Sequence, residues 1–142
     1  MFSREESKRI REEFWTEFGQ KYPRKWTLYN TKIKGIQLKF TFTTERAQVS
    51  LDISSADELV QEYYTEKLQS LEAVLKSDYL PEALLEENYL LPAGKTVTRI
   101  YVQREGVNIH NRKHWPEVFE FLYRNIDQLE EFFTDFKDFI QD

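Results

Sequence analysis

The chain has 142 residues, the size of one domain, and is 40% hydrophobic with 11 Phe, 8 Tyr and 3 Trp; that much apolar surface offsets the entropy of ordering, which excludes global disorder and predicts a single domain over 1–142. The absence of Cys excludes disulfides, thiolate metal sites and a cysteine nucleophile, and a net charge of −5 argues against binding nucleic acid through overall charge. No apolar run approaches the ~20 residues of a membrane-spanning helix, and Met1 to Glu6 lacks the apolar stretch of a signal peptide, so no membrane association and a cytoplasmic location are expected.

Ser3 with Glu6 forms a capping box, and Ile10, Phe14 and Phe18 recur at helical spacing beside Trp15 and Tyr22, so a first helix is predicted from about 4 to 21. Gly19 and Pro23 supply its stop. Trp26 to Ile33 is rich in β-branched and aromatic residues and reads as a first strand ended by Gly35. Ile36, Leu38, Phe40 and Phe42 then alternate with polar residues, and after Thr44 to Arg46 the alternation resumes at Ala47, Val49, Leu51 and Ile53. Those two runs predict an antiparallel hairpin with one wet face.

Ser55 with Glu58 reads as a second capping box, opening a helix whose apolar positions continue from Leu59 to about Ser77. Leu84 to Leu91 and Thr96 to Arg104, joined by Pro92 to Lys95, read as a second hairpin. A last helix is predicted from Trp115 to Ile140, with Val118, Leu122, Ile126, Leu129, Phe133, Phe136 and Ile140 on one stripe. The fold class is therefore α+β: a single-layer, mainly antiparallel sheet of about five strands with three helices, in the order α-β-β-β-α-β-β-α. The second and third helices are expected on its apolar face.

The run FSREESKRIREEFW from Phe2, the segments PRKWTLYNTKIKG, AQVSLDI and EENYLL, and RIYVQREGVNIHN followed by HWPEVFEFLYRN resemble the bacterial family called domain of unknown function 4268, over essentially the whole chain. That family has no established reaction, so the resemblance supplies no catalytic residues. Larger members carry this type of domain behind a nuclease-like domain, so the resemblance implies an accessory role near nucleic acid.

The residues themselves offer little catalytic chemistry. His110 and His114 stand at i and i+4 but lack a third ligand, and no metal or other cofactor is expected. The four Gly are dispersed, which disfavours both a nucleophile elbow and a phosphate-cradling loop. Helix, three strands, helix and strand is also the core order of PD-(D/E)xK nucleases, which hold Mg²⁺ with acids on adjacent strands. Here Asp52 is the one acid on its strand and Ser54 stands where that family's Lys belongs.

Charge is uneven: residues 1–35 carry +4 and the remainder −9. Two basic, aromatic-interleaved junctions are the candidate binding residues, Arg24, Lys25, Trp26, Asn30, Lys32 and Lys34 after the first helix, and Asn108, His110, Asn111, Arg112, Lys113, His114 and Trp115 before the last. Cations beside aromatic rings neutralise phosphates and stack bases. The chain is read as a non-enzymatic binding or accessory module, its partner nucleic acid or another phosphate-bearing ligand. The alternatives are a degenerate nuclease relative, with Asp52 and Glu45 as its acids, and a protein-interaction subunit or homodimer using Phe119, Phe121, Phe132, Phe136 and Phe139 of the last helix.

Overall fold

In the computed structural model, which describes residues 2–142, the Ser3 hydroxyl accepts from the Glu6 amide at 3.1 Å. The Glu6 carboxylate accepts in return from the Ser3 amide at 3.2 Å. Two amides that a helix start leaves open are thus satisfied together, and the same bonds hold the Glu6 carboxyl below its ordinary range. Helix α1 follows as Arg4–Lys21 and buries Phe14 and Phe18.

The strand predicted over Trp26 to Ile33 does not form. Leu28 and Lys32 adopt left-handed backbone conformations, φ 40° and 66°, which lie outside the extended region of a strand. The buried Thr31 hydroxyl ties the segment into a turn, accepting from the Ile33 amide at 3.1 Å and donating to the Ile36 carbonyl at 2.8 Å. Its β-branched residues serve burial and turn bonding, and the sheet has four strands where five were expected.

Those strands are β1 (Ile36–Phe42), β2 (Arg46–Ile53), β3 (Leu84–Leu90) and β4 (Thr96–Glu105). They pair antiparallel throughout in the order β1-β2-β4-β3. Helix α2 (Glu58–Asp78) separates the hairpins, and a 3₁₀ turn (Arg112–His114) leads into α3 (Trp115–Gln141). The start of α2 corrects the predicted capping box. Asp57 is the cap, its carboxylate accepting from the Leu59 and Val60 amides, while the Ser55 hydroxyl accepts from Asp57 and the Ser55 amide donates to Gln61.

The register puts Ile36, Leu38, Phe40 and Phe42 on one face with Ala47, Val49, Leu51, Ile53, Ile100 and Val102. All three helices cover that face: α2 and α3 contact β2, and α1 reaches β1 through Phe14 on Phe42 and Trp15 on Phe40. Phe119 and Phe132, read from sequence as standing off the main stripe of α3, are buried, Phe119 against Phe14 and Phe18 and Phe132 against Tyr79 and Phe136. Among the described residues no helix is long and apolar enough to cross a membrane.

Candidate functional site

The two sequence-predicted junctions lie at different stations along α3. Arg24 binds Asp127 and Glu130 at 2.5 Å and stacks on Trp26 at 4.3 Å. Trp26 is half-buried against Phe40 and Tyr123. Lys25, Asn30, Lys32 and Lys34 are exposed. In the second junction Trp115 is buried, its indole N–H donating to the Ile109 carbonyl at 2.8 Å, so the ring is not open to a stacking base. Arg112 stacks on Trp115 and pairs with Glu13 and Glu17 of α1.

The remaining polar residues of that junction fold the chain into α3. Asn111 caps the 3₁₀ turn by accepting from the Lys113 amide, and Asn108 accepts from His110. His114 Nδ1 accepts from the Asn108 amide at 2.9 Å, whereas His110 Nε2 meets the Ser7 hydroxyl at 3.1 Å. The histidines thus serve separate local bonds. Lys113 is exposed. The arginines reach α3 twelve residues apart in sequence, at Trp115 and Asp127, about 18 Å at the helical rise, and each is neutralised by acids.

The nuclease-like reading requires Glu45 and Asp52 together, yet Glu45 precedes β2 and Asp52 stands near its far end. Among the described residues no three His, Cys, Asp or Glu side chains converge as a metal site would need. With two strands ahead of α2 instead of three, the element order also departs from that of the nucleases.

A different group of polar residues comes together on the sheet face turned away from the helices. Register places Gln37, Asp52, Arg99 and Glu86 in one cross-strand row, and Lys39, Ser50, Tyr101 and Leu84 in the next. The predicted wet face is dry at its centre: Gln48, Ser50, Asp52 and Arg99 are 2%, 0%, 3% and 3% exposed. The long side chains cover one another there, and the β3–β4 loop folds over them, Leu91 lining a cleft on either side of itself.

Arg99 grips Asp52 through Nε and Nη2, both at 2.8 Å, and donates from Nη1 to Gln48 at 2.8 Å. The Tyr89 ring lies over the guanidinium at 4.4 Å, and its hydroxyl accepts from Gln48 Nε2 at 3.0 Å. Burial works against the Arg99 charge, but the hydrogen bonds and charge of Asp52 outweigh it and hold the guanidinium above its ordinary range. Lys39 Nζ is a second cation on the same carboxylate, 3.7 Å from Asp52 Oδ2. Two cations therefore share one buried anion. On the same face the Ser50 hydroxyl has no hydrogen-bond partner among the described residues, an unusual state for a buried polar group.

The smaller cleft, about 280 Å³, holds Gln37, Lys39, Asp52, Ser54 and Lys95; the larger, about 610 Å³, holds Lys39, Thr41, Thr43, Arg46, Gln48 and Tyr89 with Leu90 at the end of β3 and Leu91 to Gly94 of the loop. Arg46 is matched by Glu105 at 2.8 Å. Asp52 is the one acid lining either cleft, and Arg99 already balances it, so Lys39 and Lys95 leave the smaller cleft locally positive; Lys95 also borders a neighbouring cleft lined by Glu58, Glu62, Glu66 and Glu87. Composition concealed this site, because Lys39, Asp52 and Arg99 lie on three strands. The trace that could have revealed it is Arg99 inside the run Val97 to Val102, where the one other polar residue besides the Tyr101 hydroxyl is Thr98.

No curated protein matches the chain, and no solved structure does. The family model described as "Domain of unknown function (DUF4268)" matches residues 10–137, a span that takes in every strand, α2, the 3₁₀ turn and most of α1 and α3. On a match of that extent the chain belongs to the DUF4268 family.

Proposed function

We propose that the chain is a non-enzymatic binding module that holds a phosphate-bearing ligand on the open face of its sheet. The observation that carries this is the sharing of Asp52 by Arg99 at 2.8 Å and Lys39 at 3.7 Å, with Lys95 lining the same cleft. Lys39 is half-buried whereas Lys95 is exposed, and a half-buried cation in excess of its partners gains more from an incoming anion than one on an open surface. Binding is favoured over catalysis because the ionisable groups of the face are held by each other: both Asp52 oxygens by Arg99 and one Glu86 oxygen by Tyr101. Lys34, from the sequence-predicted group, is exposed beside Gly35, which lines the smaller cleft.

The test is thermal unfolding with and without pyrophosphate at low ionic strength. A ligand that binds only the folded state raises the melting temperature, and Lys39→Ala with Lys95→Ala should remove the rise. No shift in the native chain, or an equal shift in the double variant, rejects the reading. An oligonucleotide tested beside pyrophosphate addresses the nucleic-acid-linked role that family resemblance suggests.

A further inference from the structure

We infer that the ligand of the open face is a small phosphate carrying a flat ring, a nucleoside phosphate in chemical class, and not a nucleic-acid strand. This rests on the anion-binding reading above and adds a second half to the ligand.

The two clefts differ in the chemistry of their walls. In the smaller one Lys39 and Lys95 line the same cleft as Asp52 and Ser54, which suits a compact anion. In the larger one the sheet wall is polar, with Thr41 and Gln48, while the facing wall is the apolar loop residues Leu91, Pro92 and Ala93. A slot that is apolar on one side and hydrogen-bonding on the other fits a heterocycle, whose faces are apolar and whose edges carry donors and acceptors. Tyr89 lines this slot and is fixed in place by Arg99 beneath its ring and Gln48 on its hydroxyl, so an aromatic contact there costs little ordering.

Lys39 lines both clefts, as does Leu91, so a phosphate in one and a ring in the other would share the same lysine. The volume of about 610 Å³ is that of a small-molecule pocket.

A strand of nucleic acid fits this surface poorly. Two lysines in excess match one or two phosphates, not a run of them, and the rim is acidic, with Glu45 and Glu105 beside Arg46 and Glu86 on β3. At a net charge of −5 each added phosphate meets repulsion from the rest of the chain.

Titration calorimetry of the full chain decides this with four probes: inorganic phosphate, ribose 5-phosphate, the four ribonucleoside monophosphates, and a single-stranded oligonucleotide. The expected result is that at least one nucleoside monophosphate binds about tenfold more tightly than ribose 5-phosphate. Pro92→Ser, in the wall of the larger cleft alone, should erase that difference and leave phosphate binding intact, whereas Lys39→Ala weakens both, circular dichroism confirming that each variant folds. Equal affinity for ribose 5-phosphate and every nucleoside phosphate overturns the ring while leaving the anion reading standing. An oligonucleotide that binds more tightly per molecule than any mononucleotide overturns the small-ligand assignment. If no probe binds, phosphate included, both readings fall.

Discussion

Arg99 and Asp52, 47 residues apart in sequence, face each other directly across β4 and β2 and form a two-pronged ion pair in which both side chains are buried. Such a pair contributes little net stability against an apolar replacement, but breaking it strands a charge away from water. Asp52→Asn should therefore destabilise the fold by about 3–5 kcal/mol, whereas Asp52→Leu combined with Arg99→Met should recover most of that loss. Urea midpoints for the single and double variants measure both. A loss under about 1 kcal/mol in the single variant would mean that solvent screens the pair as it does on an exposed surface.

Thr31 is the polar residue on which the segment between α1 and β1 turns. Its hydroxyl satisfies the Ile33 amide and the Ile36 carbonyl in a buried setting. Thr31→Val keeps the shape and removes both bonds, so it should cost about 1–3 kcal/mol through the unsatisfied amide. Lys32→Gly, at φ 66°, relieves left-handed strain and should be neutral or stabilising. Equilibrium unfolding separates the two, and a Thr31→Val chain as stable as the native one would assign the turn to packing alone.

The same segment shows where sequence and structure part. β1 and the start of β2 are legible because one face is apolar and the other polar, so Ile36 to Phe42 alternates as the pleat demands. Thr27, Thr31 and Ile33 carry the composition of a strand, but composition does not reveal that one hydroxyl closes a turn. β4 fails to alternate for a different reason: Thr98 points to the helices, where it meets Thr65 at 2.8 Å, while Val97, Arg99 and Tyr101 are buried on the opposite face. Both faces of that strand are covered, so no period-two pattern survives. The open-face site depends on register across three strands, which a linear reading lacks, whereas Arg24 and Arg112 stood out as cations and proved to be matched by acids distant in sequence.

Trp115 and Lys113, two residues apart, should respond oppositely to truncation. The Trp115 ring is enclosed by Phe14 and Phe119 and bonded to Ile109, so Trp115→Ala should cost about 3–5 kcal/mol. Lys113 is exposed, and Lys113→Ala should stay within about 0.5 kcal/mol of the native chain. Chemical denaturation followed by circular dichroism reads both. A Trp115→Ala chain of native stability would show that α1 and α3 hold together without that ring.

Stability should fall in alkali, and two tyrosines set the direction. The Tyr79 hydroxyl donates to Asp135 at 2.6 Å, and that bond, with burial and the Asp135 charge, pushes it up to about 12. Burial, followed by the hydrogen bond to Glu86 at 2.5 Å, likewise holds the Tyr101 hydroxyl above the ordinary phenol range. In the unfolded chain both ionise at about pH 10. Above that pH the folded state keeps protons that the unfolded state has lost, so the contribution is complete below about pH 10 and is lost as pH rises toward the folded values. Urea midpoints from about pH 9 to about pH 11 should therefore decline. Tyr101→Phe should flatten the decline more than Tyr79→Phe, because Tyr101 is buried and Tyr79 lies nearer the solvent, where its partner's charge is screened. A decline unchanged in Tyr101→Phe would show that this hydroxyl does not set it.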